Sequence, residues 1–262
     1  MHRGFLIDNQ KLFEVTINGD GGSGMKKLGK DMDRREFLRG LGTTAAALGA
    51  GAVILQTGSL AQAAAPPKKY GMVIDTNRCI GCHGCTIACK SENNVPEGVF
   101  RSWVMQITKG KYPHVKNHLL PRLCNNCEDA PCLNDCPTGA TYRTLEDGVV
   151  HVDRDKCVGC HTCVLACPYN SRFINPLTGT ADKCDFCYHR ITKGLLPACV
   201  DACTGKARIF GDMNDPQSEV SLYLAKYPVQ GLRTYLDTKP KVHYVFADEA
   251  ILNLDYSYLS RR

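Results

Sequence analysis

The sequence predicts an α+β fold of two small cysteine-rich modules, built from short strands, short helices and long loops. Three observations predict it. Sixteen cysteines in 262 residues fall into four groups of four. One segment recurs: Ile74-Asp75-Thr76-Asn77-Arg78-Cys79-Ile80-Gly81-Cys82-His83 aligns with Val152-Asp153-Arg154-Asp155-Lys156-Cys157-Val158-Gly159-Cys160-His161, and repetition of a supersecondary unit marks duplicated modules. Short apolar stretches before the repeated runs, Met72 to Ile74 and Val149 to Val152, read as strands. Segments after the third cysteine of each run, Thr86 to Lys90 and Val164 to Cys167, read as short helix starts.

Two cysteine groups share one spacing: Cys79, Cys82, Cys85, Cys89 and Cys157, Cys160, Cys163, Cys167. Both read C-x2-C-x2-C-x3-C, the bacterial ferredoxin run for [4Fe–4S] clusters. The other two are stretched versions: Cys124, Cys127, Cys132, Cys136 and Cys184, Cys187, Cys199, Cys203. Three thiolates two residues apart can converge on three corners of one cluster. The fourth leads into the next element and, in two-cluster ferredoxins, ligates the other cluster. Gly81, Gly84 and Gly159 let the chain wrap closely. Pro137 and Pro168 follow the fourth cysteine of their runs, whereas Lys90 and Thr204 stand in that place in the other two. No cysteine is left over, so the expectation is four [4Fe–4S] clusters, two per ferredoxin module, forming a wire for single electrons.

Disulfides and zinc are the rival uses of such cysteines. Tight C-x2-C pairs make poor structural disulfides, and a chain this long does not need stapling. Four-thiolate zinc sites usually combine two separated pairs, unlike three successive cysteines at this spacing plus a fourth.

Asp33-Arg34-Arg35-Glu36-Phe37-Leu38 is a twin-arginine export signature. It precedes a mildly apolar stretch, Leu41 to Leu55, and small residues for cleavage at Ala61-Gln62-Ala63 or Ala63-Ala64-Ala65. Residues 25–63 therefore read as a twin-arginine signal peptide, 64–70 as a linker, and the destination as the periplasm. Residues 1–24 are set apart as a non-native or disordered extension, with translation expected to begin at Met25 or Met32. Intact-mass analysis of the precursor tests this, and finding residues 1–24 ends the idea. The net charge of +6 includes the basic signal region and charged residues make up 22%, which gives no case for a nucleic-acid partner. No later stretch is long and apolar enough to span a bilayer, so membrane association is expected only through a partner.

The chain resembles the four-cluster iron–sulfur subunits of the dimethyl sulfoxide reductase superfamily of molybdenum and tungsten enzymes. The resemblance rests on Cys79 to Cys89, Cys124-Asn125-Asn126-Cys127-Glu128-Asp129-Ala130-Pro131-Cys132, Cys157 to Pro168, Lys183-Cys184-Asp185-Phe186-Cys187, Pro197-Ala198-Cys199-Val200-Asp201-Ala202-Cys203, and Ala207-Arg208-Ile209-Phe210-Gly211-Asp212. It covers residues 71 to 246. Some relatives replace a cysteine of the second or third group and hold a [3Fe–4S] cluster; here every position is Cys. The resemblance implies that Cys79, Cys82, Cys85 and Cys203 hold one cluster and Cys184, Cys187, Cys199 and Cys89 its neighbour. Cys124, Cys127, Cys132 and Cys167 would hold a third, and Cys157, Cys160, Cys163 and Cys136 the last. This nesting implies a bacterial-ferredoxin-like module, 124–183, inserted within another made of 71–123 plus 184–212, with 213–262 a helix and strand tail.

Other residues carry weaker signals. His83 and His161 sit inside the runs, either hydrogen-bonding near the clusters or lying at the surface. Trp103, Tyr169, Phe173 and Phe186 read as packing. Ser218 to Ala225 reads as an amphipathic helix and Val242 to Phe246 as a terminal strand, both expected to close the core, with a partner surface as the alternative. The Cys187-to-Cys199 gap is expected to add a surface loop for docking.

No nucleotide fingerprint, phosphate loop, serine nucleophile motif or open metal site is found, and no catalytic residue is assigned. With every cluster iron closed by a thiolate, the chain is expected to move electrons and not to bind substrate. The resemblance implies two partners: a catalytic molybdopterin subunit and a multi-spanning quinone-reactive membrane anchor. Ala181-Asp182-Lys183-Cys184 and Gly194-Leu195-Leu196-Pro197-Ala198-Cys199 look closest to tetrathionate, polysulfide or thiosulfate reductase subunits, which favours sulfur-oxyanion or polysulfide reduction. The nitrite-reduction branch, with a multihaem cytochrome c partner, is similar throughout, and a membrane hydrogenase subunit is a further alternative. From a different class, a metal-binding assembly module without redox turnover remains open, as does a stand-alone enzyme with an open cluster corner.

Overall fold

The computed structural model describes residues 67–255. The twin-arginine segment, the signal peptide and the amino-terminal extension lie outside the described residues.

Strand β1 (Tyr70–Asp75) is the centre of a three-stranded sheet. It pairs antiparallel with β8 (Arg208–Asp212) and parallel with β9 (Val242–Val245). Side chains alternate faces along a strand, so Met72 and Ile74 enter the main core while Val73 faces a smaller one with Ile209, Val220 and Val245. All three β1 side chains are fully buried, each worth about 1.5–3 kcal/mol. Helix α6 (Glu219–Lys226) covers the smaller core with Val220. The expected helix and strand of the tail are thus present, and the strand is an integral sheet member.

Between β1 and β8 lie three two-stranded ladders. β2 (Ser102–Lys111) and β3 (His114–Leu123) form a long hairpin across the cis Tyr112–Pro113 bond. β4 (Thr141–Arg143) pairs with β5 (Val150–Val152), and β6 (Phe173–Ile174) with β7 (Ala181–Asp182). Short helices fill the gaps: α1 (Gly84–Asn93), α2 (Pro131–Asn134), α3 (Thr162–Leu165), α4 (Tyr188–Ile191), α5 (Ala198–Asp201) and, near the end, α7 (Glu249–Leu252). The α+β class with short elements holds.

The helix starts need correction. Both begin before the third cysteine, at Gly84 and Thr162, because His83 and His161 take the left-handed conformation (φ 56° and 65°) that turns the chain into the helix. The ends differ for a physical reason. Pro168 disfavours helical backbone at Cys167, and α3 stops at Leu165; with Lys90 in the equivalent place, α1 runs on to Asn93. Among the described residues no helix is long and apolar enough to cross a membrane.

Candidate iron–sulfur sites

The repeated segment builds the same device twice. Where β1 ends, the Asp75 carboxylate accepts from the N–H groups of Asn77 and Arg78 at 3.0 and 3.3 Å. After β5, Asp153 accepts from Asp155 and Lys156 at the same distances. Each aspartate thereby folds a tight turn that delivers the first cysteine. Each run then exposes its second cysteine, Cys82 or Cys160, and buries its third, Cys85 or Cys163. The loops are held by close backbone approach. A side chain on Gly205 would lie 2.2 Å from the Arg78 carbonyl oxygen, and one on Gly159 (φ +66°) 2.4 Å from that of Gly179. Only glycine permits either contact.

Thiols from distant groups meet. Cys124, Cys127, Cys132 and Cys167 line one cavity. Cys89, Cys184, Cys187 and Cys199 line a second, and Cys136, Cys157, Cys160 and Cys163 a third. Cys79 lies within electrostatic reach of Cys85 and Cys203, and Cys82 Sγ is near Gly84, beside Ala202. All sixteen are free thiols. Among the described residues no three His, Cys, Asp or Glu side chains close on a single ion; the thiols surround spaces instead.

Donors point at these sulfurs. Main-chain N–H groups of Ser171 and Ala207 reach Cys167 and Cys203 at 3.5 and 3.2 Å, each from four residues onward. Those of Asn126 and Phe186 reach Cys124 and Cys184, two residues back, at 3.5 and 3.4 Å. Asn126 and Phe186 are themselves left-handed (φ 44° and 59°), which turns each N–H toward its sulfur. Asn93 adds a side-chain donor to Cys187 at 3.4 Å. Burial pushes the Cys132 and Cys199 thiols up to about 11 and also raises those of Cys89, Cys127 and Cys184. At Cys136 burial opposes ionisation, but donors on Thr141 and Thr138 outweigh it and bring the thiol down to about 7.

The charge inventory tests what the thiols could hold. Among the described residues six cations are buried, Arg101, Arg122, Arg172, Lys183, Arg208 and Lys241, against three carboxylates, Asp75, Asp147 and Asp182. Uncompensated buried charge costs several kcal/mol per ion. A thiolate-ligated iron–sulfur cluster is anionic, with a potential set by charge, hydrogen bonds and exposure. Soft sulfur donors, N–H groups on those sulfurs and an excess of buried cations all fit such a group. Sequence reasoning missed the cations entirely. His83 and His161 are exposed and contribute backbone conformation, with no side-chain cap bond. Trp103, Tyr169, Phe173 and Phe186 are buried packing residues, as expected.

These features define a ferredoxin-type iron–sulfur electron carrier. A family model described as a 4Fe-4S dicluster domain matches residues 115–213. A tetrathionate reductase subunit of Salmonella typhimurium is 45% identical over 231 residues, covering 85% of this sequence and 91% of that one. Protein NrfC of Escherichia coli is 46% identical over 215 residues, covering 81% and 94%. A polysulfide reductase polypeptide of Wolinella succinogenes is 45% identical over 181 residues, covering 68% and 94%. The protein belongs to this family of iron–sulfur electron-transfer subunits of respiratory reductases.

Proposed function

We infer that the chain relays single electrons through four [4Fe–4S] clusters between a quinone-linked, multi-spanning membrane subunit and a catalytic molybdopterin subunit. The clusters supply one-electron storage at potentials the protein tunes. The protein supplies thiolates, N–H donors and buried cations, and it encloses the sites. The observation that carries the reading is the partition of thiols: three cavities each lined by four cysteines drawn from two sequence groups, with Cys79, Cys85 and Cys203 meeting separately. The same partition supports two modules, 124–183 inserted within 71–123 plus 184–212. Twin-arginine export would set the complex on the outer face of the cytoplasmic membrane.

Iron and acid-labile sulfide analysis tests this, with about sixteen iron atoms expected per loaded chain. Cys124→Ala and Cys167→Ala should each remove one cluster, and the double variant no more than either. Loss of two clusters in the double variant overturns the pairing.

Likeness to the tetrathionate reductase and polysulfide reductase relatives favours sulfur-oxyanion or polysulfide reduction. Equal likeness to protein NrfC favours a second reading, a nitrite-reducing chain with a multihaem cytochrome c as partner. Mass spectrometry of what co-purifies with the tagged full chain from gently solubilised membranes separates them: a large molybdopterin subunit supports the first, a multihaem cytochrome the second.

A further inference from the structure

Two buried arginines occupy equivalent positions in the chain. Arg172 follows Cys167 by five residues and Arg208 follows Cys203 by five. Each stands where the chain enters a strand, β6 or β8, and each is at most 3% exposed. Arg208 spans two thiol groups, with Nη2 3.5 Å from Cys85 Sγ and Nη1 3.8 Å from Cys199 Sγ. Burial works against its charge, and the Cys199 and Cys85 sulfurs hold the proton in place. Arg172 lines the cavity of Cys124, Cys127, Cys132 and Cys167. It also donates at 3.0 Å to Thr141 Oγ1, and Thr141 lines the neighbouring cavity of Cys136, Cys157, Cys160 and Cys163.

A third cation stands at the remaining junction. Lys183 is 3% exposed and lines the same cavity as Arg172. Its Nζ donates at 2.8 Å to the carbonyl oxygen of Cys184, which lines the cavity of Cys89, Cys187 and Cys199, and at 3.2 Å to Asn126 Oδ1. The side-chain amide of Asn126 donates to that same carbonyl at 3.3 Å.

We propose that Arg208, Lys183 and Arg172 are positioning residues that alternate with the four thiol groups, each raising the reduction potential of the two clusters it separates. The proposal rests on the cluster reading above. The physical reason is direct: reduction adds negative charge to an anionic cluster, and a fixed cation touching its ligands in a low-dielectric interior favours the reduced form. Touching two sites at once, one cation biases both ends of a hop together and leaves the step between them nearly level. Conserving a single buried charge per junction would also limit the desolvation cost, since each cation is shared by two anions.

The test is a redox titration, followed by electron paramagnetic resonance, of the full chain loaded with iron and sulfide. Arg208→Gln should lower two of the four one-electron midpoints by at least 59 mV, the tenfold change in reduced-to-oxidised ratio for a single electron. Arg172→Gln should lower the other two, and Lys183→Gln one from each pair. Arg208→Lys, which keeps the charge and shortens the reach, should shift the same two midpoints as Arg208→Gln by less. Unchanged midpoints with full iron content overturn the proposal and leave the cluster reading intact. So does an equal shift in Arg208→Lys and Arg208→Gln, or the same pair moving in the Arg208 and Arg172 variants. If Arg208→Gln or Arg172→Gln loses iron, Arg208→Lys and Lys183→Gln still decide: no shift in either overturns the proposal. Wild-type protein without iron would instead overturn the cluster reading itself.

Discussion

The Arg101 guanidinium donates to the Asp182 carboxylate at 2.6 Å, with neither side chain more than 8% exposed. Asp185 lies 3.4 Å from the same guanidinium. The pair ties the residue before β2 to the end of β7, beside the cavity of Cys89, Cys184, Cys187 and Cys199. Removing one partner of a buried pair strands the other's charge at a cost of about 3–5 kcal/mol. Arg154, 3.7 Å from Asp182, holds Arg101→Met toward the lower end. Urea unfolding of the loaded chain should show this loss, and Asp182→Asn added to Arg101→Met should recover part of it. A loss below about 1 kcal/mol, the scale of a surface pair, would mean the contact is not what joins these segments.

Gly205→Ala and Gly159→Ala should both loosen cluster loops, through the contacts with the Arg78 and Gly179 carbonyls. Overpacking of this kind costs about 1–3 kcal/mol, and the loops must shift to relieve it. Iron analysis should show partial loss in each variant, whereas Gly98→Ala, whose added carbon meets nothing within 4 Å, should retain full iron.

His151 predicts an acid-side sensitivity. It stacks on Tyr142 at 5.6 Å and meets the edge of Tyr188 at 4.4 Å. Burial first, then the charge of Lys183, hold its imidazole below the ordinary value, against weaker opposition from Asp185 and Asp147. With the folded pKa depressed below about 6.5, the unfolded chain takes up the proton first as pH falls. Stability is therefore full above about pH 6.5, declines as pH drops through it, and levels off below the folded pKa. His151→Phe should flatten that decline. Identical slopes for the two proteins in urea midpoints between pH 7.5 and 5.5 would assign the sensitivity to other groups.

Ser218 caps helix α6. Its hydroxyl accepts from Ser221 N–H at 3.3 Å and donates to the Asp212 carbonyl at 2.5 Å. Ser218→Ala should cost about 1 kcal/mol, visible in the thermal midpoint, with iron content and cluster spectra unchanged because α6 packs on the smaller core.

The parts of the fold that were legible in the sequence are those where one local pattern carries the information. The Asp75 and Asp153 turns follow from the repeat, and β1, β5, α6 and β9 follow from short apolar patterns. The β2–β3 hairpin was not legible, because its outer half is exposed and the alternation between half-buried and exposed side chains is confined to Met105–Thr108. The expected docking loop between Cys187 and Cys199 begins instead as helix α4, with Leu195 and Leu196 reaching the surface after it. Arg122, Arg172, Lys183 and Arg208 were not legible either. A charged residue reads as surface unless something buried can pair with it, and here the partners come from segments far away in sequence. The spacing of five from the terminal cysteine was the one signal available for the arginine pair.

The central position of β1 has a consequence for synthesis. The first strand of the folded unit finds its two neighbours only near the end, and the Thr76 hydroxyl bonds a carbonyl 169 residues later, at Val245. Closing so long a loop must precede the reward of the contacts it makes. The sheet therefore cannot form on the ribosome while the carboxy-terminal strand is still unmade. By then all sixteen cysteines, from Cys79 to Cys203, have been made, so the last contacts of the sheet close over a chain whose full set of thiols is already present.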